Sequence, residues 1–217
     1  MVSILALIAI LAAALFYAGT QRSSYKLRLY MVVCMVLTTI TGAVLLPPIF
    51  GHVSNAGNIF YVGAVASHGV IFMRDGREEA ARAIRGAFAA LLLILAVVVV
   101  MDHMAVDGAD IPAHTQALLN DIKHFAPASL GAFALSQLVL WSLMDRWWRK
   151  SIWIRYGLAV VLAQAVDSAI FFPVAFGADI VPLAGLALTG FAIKAVLGLL
   201  SVPLVAAIVD RDHFGAP

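Results

Sequence analysis

The chain has 217 residues, of which 63% are hydrophobic and 12% are charged, and its mean hydropathy is +1.00. Soluble domains contain about half apolar and about a quarter charged residues, so this composition excludes a water-soluble globular protein and a disordered chain. Because a membrane-spanning helix needs roughly 20 apolar residues, the length allows six or seven spans and no separate soluble domain. The single cysteine, Cys34, excludes a disulfide framework and a cysteine metal site.

Seven apolar segments predict an all-α integral membrane protein with about seven transmembrane helices. We place the spans at residues 2–20, 29–47, 58–73, 86–102, 126–144, 154–177 and 182–208. The first segment lacks a basic start and is longer than the apolar core of a signal peptide, so we expect it to be retained. The chain then divides into an extra N-terminal helix (1–24), a six-helix core (25–210) and a short cytoplasmic tail (211–217).

Basic residues are concentrated in one set of alternating loops. Twelve of the 14 lysines and arginines belong to this set: Arg22, Lys26, Arg28, Arg74, Arg77, Arg82, Arg85, Arg146, Arg149, Lys150, Arg155 and Arg211. The opposite loops, residues 48–57, 103–125 and 178–181, contain only Lys123. By the positive-inside rule, we expect a protein of the cell membrane, that is, the inner membrane, with its amino terminus outside and its carboxyl terminus in the cytoplasm. A count of six spans would place a basic cluster on the wrong side.

The predicted loop 103–125 is rich in acidic and histidine side chains. With its flanking residue, the set comprises Asp102, His103, Asp107, Asp110, His114, Asp121 and His124. Histidine and aspartate both bind metals, but their spacing here matches no compact metal motif. We therefore expect a solvated extracytoplasmic loop, and we predict neither a metal nor a cofactor.

Tryptophans flank the basic loop 145–155. They are Trp141, Trp147, Trp148 and Trp153. Indole rings favour the boundary between membrane and water. We therefore interpret all four as depth anchors and not as a binding cage.

Two ionisable residues lie near the middle of predicted spans, Asp167 in the sixth and Lys194 in the seventh. Each costs at least about 2.5–3.5 kcal/mol at the centre of a membrane helix. Such residues face the interior of a bundle or a water-filled cavity, and they often mark a transport pathway. The alternative is a structural ion pair that locks two adjacent helices together.

Uncharged polar side chains and one histidine fall at a similar depth in other spans. They are Thr38, Thr39, Thr41, Ser67, His68, Ser136, Gln137 and Gln164. A hydrogen bond to a neighbouring helix explains any one of them alone. Five helices that contribute to one layer predict a polar chamber near the bilayer centre, where transporters bind solutes. A haem at His68 would need a second imidazole at the same depth, so we favour a hydrogen-bonding role for this residue.

A series of short motifs runs through the second half of the chain. It comprises Ser136-Gln137, Trp153-Ile154-Arg155, Gln164-Ala-Val-Asp167-Ser168-Ala-Ile-Phe171-Phe172, Lys194 and Pro203, preceded by the turn Gly76-Arg-Glu-Glu-Ala80. This series resembles the queuosine precursor transporter family, also called the vitamin uptake transporter (VUT) family. The resemblance covers about residues 29–208. Because that family usually has six spans, the first predicted helix would be an addition.

The resemblance implies uptake of a 7-deazaguanine precursor of queuosine, such as the 7-cyano or 7-aminomethyl compound, salvaged for tRNA modification. It also implies a fold similar to the membrane substrate-binding component of energy-coupling-factor transporters. Residues that match the family's polar motif are Gln137, Gln164, Asp167 and Lys194. Residues that suit a planar, hydrogen-bonding ring complete the predicted substrate site: Phe171, His68, Thr38 and Thr41.

The chain departs from the family pattern at several acidic positions. Gly69, Met73 and Leu140 stand where relatives usually carry acids, and threonines stand in place of an asparagine and a lysine of the first family helix. Either His68 and the threonines replace the missing groups, or this member binds a different solute. The transporter class depends less on these positions than the substrate does.

We therefore predict a transporter rather than an enzyme, which binds a small molecule within the lipid bilayer and has no nucleic-acid partner. A homodimer is the commonest default for an oligomer. One alternative is a vitamin-type binding subunit that depends on a partner ATPase complex, since the chain has no P-loop of its own. The others are a membrane redox or enzymatic protein and a non-transporting scaffold. Proton coupling and facilitated diffusion both stay open.

Overall fold

The computed structural model describes residues 2–21, 23–42, 45–49, 52–106, 112–176 and 183–214. Within these ranges the chain forms seven α-helices and one short β-hairpin. The helices are α1 (Val2–Thr20), α2 (Ser24–Thr41), α3 (Gly57–Asp75), α4 (Arg77–Val106), α5 (Ala113–Arg146), α6 (Ala159–Phe176) and α7 (Leu183–Phe214), and a π-helical turn, Trp153–Leu158, leads into α6. The hairpin pairs β1 (Leu45–Ile49) antiparallel to β2 (His52–Asn55). The predicted all-α membrane architecture is confirmed.

Among the described residues, four helical segments are long and apolar enough to cross a membrane by length and composition. They are Arg77–Met104, Thr115–Arg146, Trp153–Phe176 and Ala187–Asp210. The part of α1 from Ile4 to Thr20 is a shorter apolar helix. Helix α3 lies at the centre of the bundle, where it packs against α1, α2, α4 and α7 and buries nearly every residue from Gly57 to Phe72. Its polar side chains therefore face protein and not lipid.

Helix α2 begins and ends earlier than the predicted span 29–47. Ser23 caps its start, because the hydroxyl of this residue accepts a hydrogen bond from the backbone N–H of Tyr25 at 3.4 Å. The predicted extension to residue 47 is excluded because Pro47 and Pro48 cannot donate helical hydrogen bonds, and each disfavours helical geometry in the residue before it. The chain there forms β1 instead, so the predicted span is wrong at both ends.

Helices α4 and α5 contain 30 and 34 residues, which corresponds to about 45 and 51 Å, well beyond a hydrocarbon core of about 30 Å. The predicted loop 103–125 is therefore wrong for residues 103–106 and 113–125, which are helical. An ion pair of 2.5 Å between Lys123 and Asp102 joins the protruding ends of the two helices. The rest of that predicted loop, residues 107–111, lies outside the described residues.

A glycine allows α3 to pack closely against the π-helical turn. A Cβ atom added at Gly69 would lie 2.5 Å from Cε2 of Tyr156. The Tyr156 ring is fully buried, and its hydroxyl lies 3.0 Å from the hydroxyl of Ser201 on α7. This contact joins α3, the turn and α7 through a small residue, as is common between membrane helices.

The basic end of the bundle, defined by Arg28, Arg74 and Arg77, ties several helix termini together. Arg74 Nη1 donates hydrogen bonds to the carbonyl oxygens of Gly19 (2.7 Å) and Gln21 (3.2 Å), at the end of α1. These contacts satisfy carbonyls that a helix terminus leaves without an intrahelical partner. Arg28 and Arg77 each pair with an acidic side chain of another helix, at 3.5 and 3.6 Å. Helix α1 is therefore anchored to the rest of the bundle.

Candidate functional site

The two ionisable residues predicted near mid-span form a buried ion pair. Lys194 Nζ on α7 lies 2.5 Å from Asp167 Oδ2 on α6, and the two side chains are 5% and 4% exposed. The two charges of a buried ion pair compensate each other. Removal of either residue leaves the other charge buried and unpaired, which is strongly destabilising. The sequence alternatives of a transport site and a helix lock both start from this contact, so its surroundings decide between them.

The ion pair borders a small cavity built by five helices. Its described lining residues are Met35, Thr38, Thr39, Gly42, Gly57, Asn58, Tyr61, Phe125, Ser129, Asp167, Phe171 and Lys194. These residues belong to α2, α3, α5, α6 and α7, apart from Gly42, which directly follows α2. The cavity has a volume of about 40 Å³, enough for about three water molecules. It lies toward the end of the bundle opposite the basic end, because it includes the end of α2 and the start of α3.

Aromatic rings surround the Lys194 ammonium. Its Nζ atom lies 4.9 Å from the ring centre of Tyr61, 5.7 Å from that of Phe171 and 5.9 Å from that of Phe172. Cation–π attraction is strongest where the cation is desolvated. Phe171 also packs against Phe125, with ring centres 6.4 Å apart. The predicted site residue Phe171 therefore contacts the ion pair and lines the cavity at the same time.

Tyr61 is a central residue of this site that the sequence analysis missed. Its hydroxyl lies 2.8 Å from the Ser136 hydroxyl on α5. Its ring centre lies 4.9 Å from Lys194 Nζ, so Tyr61 contacts both α5 and the ion pair. One signal in the sequence was available: Tyr61 and His68 are seven residues apart, a spacing that places both on one face of α3.

His68 and Gln137 do not line the cavity but form a hydrogen-bonded chain behind Tyr61. The Trp141 indole donates to His68 Nε2 at 2.8 Å, and His68 Nδ1 lies 2.5 Å from Gln137 Oε1. An indole N–H can only donate, so Nε2 must be the acceptor and the proton of the neutral ring must lie on Nδ1. His68 therefore donates to the oxygen of Gln137 and fixes the orientation of its amide.

The tryptophans near the basic end differ in their surroundings. Trp148 and Trp153 are 57% and 55% exposed, as interface anchors would be. Trp141 is half-buried: its ring centre lies 5.7 Å from that of His68 and 6.4 Å from that of Phe72, and the Arg77 guanidinium of the basic end lies 5.8 Å from the same ring centre. The anchor interpretation of the four tryptophans stays a prediction, and Trp141 in addition donates its N–H inside the protein.

Gln164 and Ser168 present unsatisfied polar atoms beside the ion pair. Both amide atoms of Gln164, the Ser168 hydroxyl and the Gln137 Nε2 atom are buried and have no hydrogen-bond partner among the described residues. Gln164, Asp167 and Ser168 share one face of α6, since they are three and four residues apart. A buried polar group without a partner costs about 1–3 kcal/mol. These atoms therefore offer donors and acceptors to a ligand that reaches them.

The predicted threonines are placed differently from one another. Thr38 lines the cavity, as does its neighbour Thr39, whereas Thr41 is not among the described lining residues. All three hydroxyls donate to carbonyl oxygens of their own helix, one turn earlier, at 2.8, 3.2 and 2.6 Å. Only acceptor capacity is thus left on Thr38 and Thr39 for a molecule in the cavity.

Residues 55–208, well over half of the chain, match the protein family described as "Putative vitamin uptake transporter". The chain belongs to this family. It is accordingly a multi-pass membrane protein of a transporter family. The resemblance to the vitamin uptake transporter family is confirmed over the matched residues, whereas the match does not bear on queuosine precursors as substrates. Helix α1 and helix α2 lie outside the match. No curated protein and no solved structure matches the chain.

The positions where relatives usually carry acids are filled by packed residues in this member of the family. Leu140 is fully buried in the apolar core, and Met73 packs against the same core. At Gly69 the ring of Tyr156 occupies the space that a side chain would need. The missing acids are therefore replaced by apolar packing and not by other polar groups at the same positions.

Proposed function

We propose that this protein is an uptake transporter for a small planar heterocycle, a 7-deazaguanine precursor of queuosine, which binds at the Asp167–Lys194 cavity. The observation that carries the proposal is the position of this buried ion pair at the junction of five helices in a member of a transporter family. A pair that only locked α6 to α7 would need neither a cavity nor polar residues from three further helices.

The side chains of the cavity suit the edge of a guanine-like ring. The Asp167 carboxylate can accept N–H donors, and the Lys194 ammonium can donate to a ring carbonyl. Phe125 and Phe171 present rings of the kind on which a planar heterocycle stacks. The unpartnered Gln164 amide adds one donor and one acceptor on the same face of α6 as Asp167. Together these groups complement both the face and the edge of such a molecule.

The cavity of about 40 Å³ has room for about three water molecules, and we infer that the helices around it move when a two-ring heterocycle binds. Pro173 in α6 and Pro203 in α7 each remove a helical hydrogen bond. Helices bend most readily at such positions. We infer that the structure represents a closed form and that α6 and α7 bend to admit the substrate, as in alternating access.

Uptake measurements on ion-pair variants test this proposal. Cells that cannot make the precursor would express the chain without an ATPase partner and receive labelled 7-cyano-7-deazaguanine. We expect Asp167→Asn and Lys194→Ala each to abolish uptake, because each leaves an unpaired buried charge, at a cost of about 3–5 kcal/mol, and removes a ligand contact. Leu188→Ala, at an exposed position of α7, is the matched control and should transport normally.

A double variant separates a transport role from a structural one. Asp167→Asn combined with Lys194→Gln removes both charges, so the amount of protein in the membrane should recover while uptake stays absent. If the double variant transports like the wild type, the pair is only a helix lock and the proposed site is wrong. If the wild type transports only when an ATPase complex is supplied, the chain is a binding subunit of such a complex.

A further inference from the structure

We infer that the binding site selects uncharged ligands and excludes cationic ones. This inference rests on the proposed function, since it concerns the ligand of the same cavity. It separates two compounds of the proposed substrate class: the neutral 7-cyano-7-deazaguanine and the 7-aminomethyl compound, whose alkylamine is protonated at neutral pH.

The first argument is the charge balance of the site. Asp167 is the only carboxylate and Lys194 the only ammonium among the described residues that line the cavity. Across the described part of the chain, Asp167 is also the only buried acid, and the only other basic side chain buried to a similar degree is that of Arg74 at the basic end, which is 6% exposed. His68 behind the cavity is neutral, because its Nε2 atom accepts the Trp141 N–H. The described site thus has no net charge and no free carboxylate for a second cation.

The second argument is the position of the aromatic rings. An ammonium group favours the faces of Tyr61, Phe171 and Phe172, and the protein's own Lys194 already occupies that place at 4.9–5.9 Å. A cationic ligand must either displace Lys194 from Asp167 or bind a few ångströms from another cation in a poorly solvated space. Both choices weaken binding, since repulsion between like charges is strong away from water. A neutral ring meets neither penalty.

Binding of the two compounds to the purified full-length protein in detergent at pH 7 tests the inference. We expect the 7-cyano compound to bind at least about tenfold more tightly than the 7-aminomethyl compound, as measured by calorimetry, because the additional positive charge meets no unpaired carboxylate. Both compounds share the same ring and the same hydrogen-bonding edge. Their difference in affinity therefore reports chiefly on the charged substituent.

A pair of variants of nearly equal size makes the test independent of substituent shape. Ser129 lines the cavity on α5, away from the Asp167–Lys194 pair in sequence. Ser129→Asp adds a carboxylate and should reduce the preference for the neutral compound by at least about tenfold relative to Ser129→Asn, which adds the same bulk without charge. Circular dichroism and thermal unfolding verify that both variants are folded. If either variant is not folded, the comparison of the two compounds on the wild-type protein alone decides the test.

The outcomes distinguish this inference from the proposal on which it rests. Charge selection is supported if the wild type binds the 7-cyano compound more tightly and if this preference decreases in Ser129→Asp but not in Ser129→Asn. Equal binding of both compounds, or tighter binding of the 7-aminomethyl compound, overturns charge selection and leaves the proposed substrate class intact. Binding of neither compound overturns the proposed substrate and this inference with it.

Discussion

His68 is held in its neutral form by two hydrogen bonds whose directions are set by chemistry. Because Trp141 can only donate, His68 must accept at Nε2 and donate from Nδ1 to Gln137. Neither an amide nor an indole passes protons on easily, so this chain is suited to orienting Gln137 and not to carrying protons. Gln137 at the inner end of the hydrogen-bonded chain follows Ser136, whose hydroxyl lies 2.8 Å from that of Tyr61. The Tyr61 ring in turn lies 4.9 Å from Lys194 Nζ. The hydrogen-bonded chain therefore lies directly behind a residue of the cavity wall.

Replacement of Trp141 by phenylalanine tests the importance of this chain. Trp141→Phe keeps an aromatic ring but leaves His68 Nε2 buried without a donor, so we expect a loss of about 1–3 kcal/mol in the free energy of unfolding. Trp153→Phe, at a largely exposed tryptophan, is the control and should change stability by less than about 0.5 kcal/mol. Chemical unfolding in detergent measures both. Equal stabilities of the two variants would show that the His68 contact contributes nothing.

Residues of the site differ in how well the sequence predicts them. Asp167 and Lys194 can be recognised because a charge in a long apolar segment is costly and needs a reason. Tyr61 has an apolar body and a polar tip, so its presence in a span requires no explanation. Its role becomes visible only when packing brings it beside Ser136 and Lys194. Polar contacts that depend on tertiary packing are therefore the part of the site that the sequence leaves undetermined.

At the level of elements, the junction between α3 and α4 consists of one residue in an unusual conformation. Gly76 has a φ of 87°, in the region that is unfavourable for residues with a Cβ atom. It ends α3 and allows α4 to begin at the next residue, which brings Arg74 and Arg77 to the same end of the bundle. A glycine at this point therefore determines how two spans turn at the basic end.

Alanine substitution tests whether backbone conformation or space is important at this junction. A Cβ atom at Gly76 would have no atom within 4 Å, so Gly76→Ala should be destabilising through the backbone conformation alone (φ 87°, ψ 178°), by about 1–3 kcal/mol. Gly131→Ala is the matched control, since this exposed glycine in α5 also has open space around it and has ordinary helical geometry. We expect it to be neutral or stabilising by up to about 1 kcal/mol. Thermal unfolding should therefore occur at a lower temperature in Gly76→Ala than in the wild type and at an unchanged or higher temperature in Gly131→Ala, and equal shifts would contradict the argument.

The number and order of the helices follow from the apolar segments, whereas their ends do not. The start of α5 at Ala113 precedes the predicted start at residue 126, because Lys123 and Gln116 face Asp102 of α4 and satisfy polar groups outside the lipid. Such helix–helix contacts beyond the bilayer have no hydropathy signal. Hydropathy thus predicts where a helix crosses the membrane and not where it ends.

For the whole molecule, the cavity and the basic residues are at different ends. The cavity extends toward Gly42 at the end of α2 and Asn58 at the start of α3. Arg28, Arg74 and Arg77 lie at the other end of the same helices or of the helix that follows. If the basic end faces the cytoplasm, the cavity is nearer the outside, where a substrate for uptake would enter. The orientation of the bundle in the membrane therefore indicates the direction of transport.

Labelling of single cysteines determines which end of the bundle faces the outside of the cell. In a Cys34→Ala background, Asn120→Cys lies at an exposed position in the first part of α5, away from the basic end, and Ser151→Cys lies in the exposed turn at the basic end. The positive-inside rule predicts that a membrane-impermeant maleimide labels Asn120→Cys in intact cells but labels Ser151→Cys only after the cells are permeabilised. Neither substitution alters a charge, so the basic clusters that are expected to set the orientation stay complete. The reverse pattern would place the cavity nearer the cytoplasm, and entry from that side would then indicate export and not uptake.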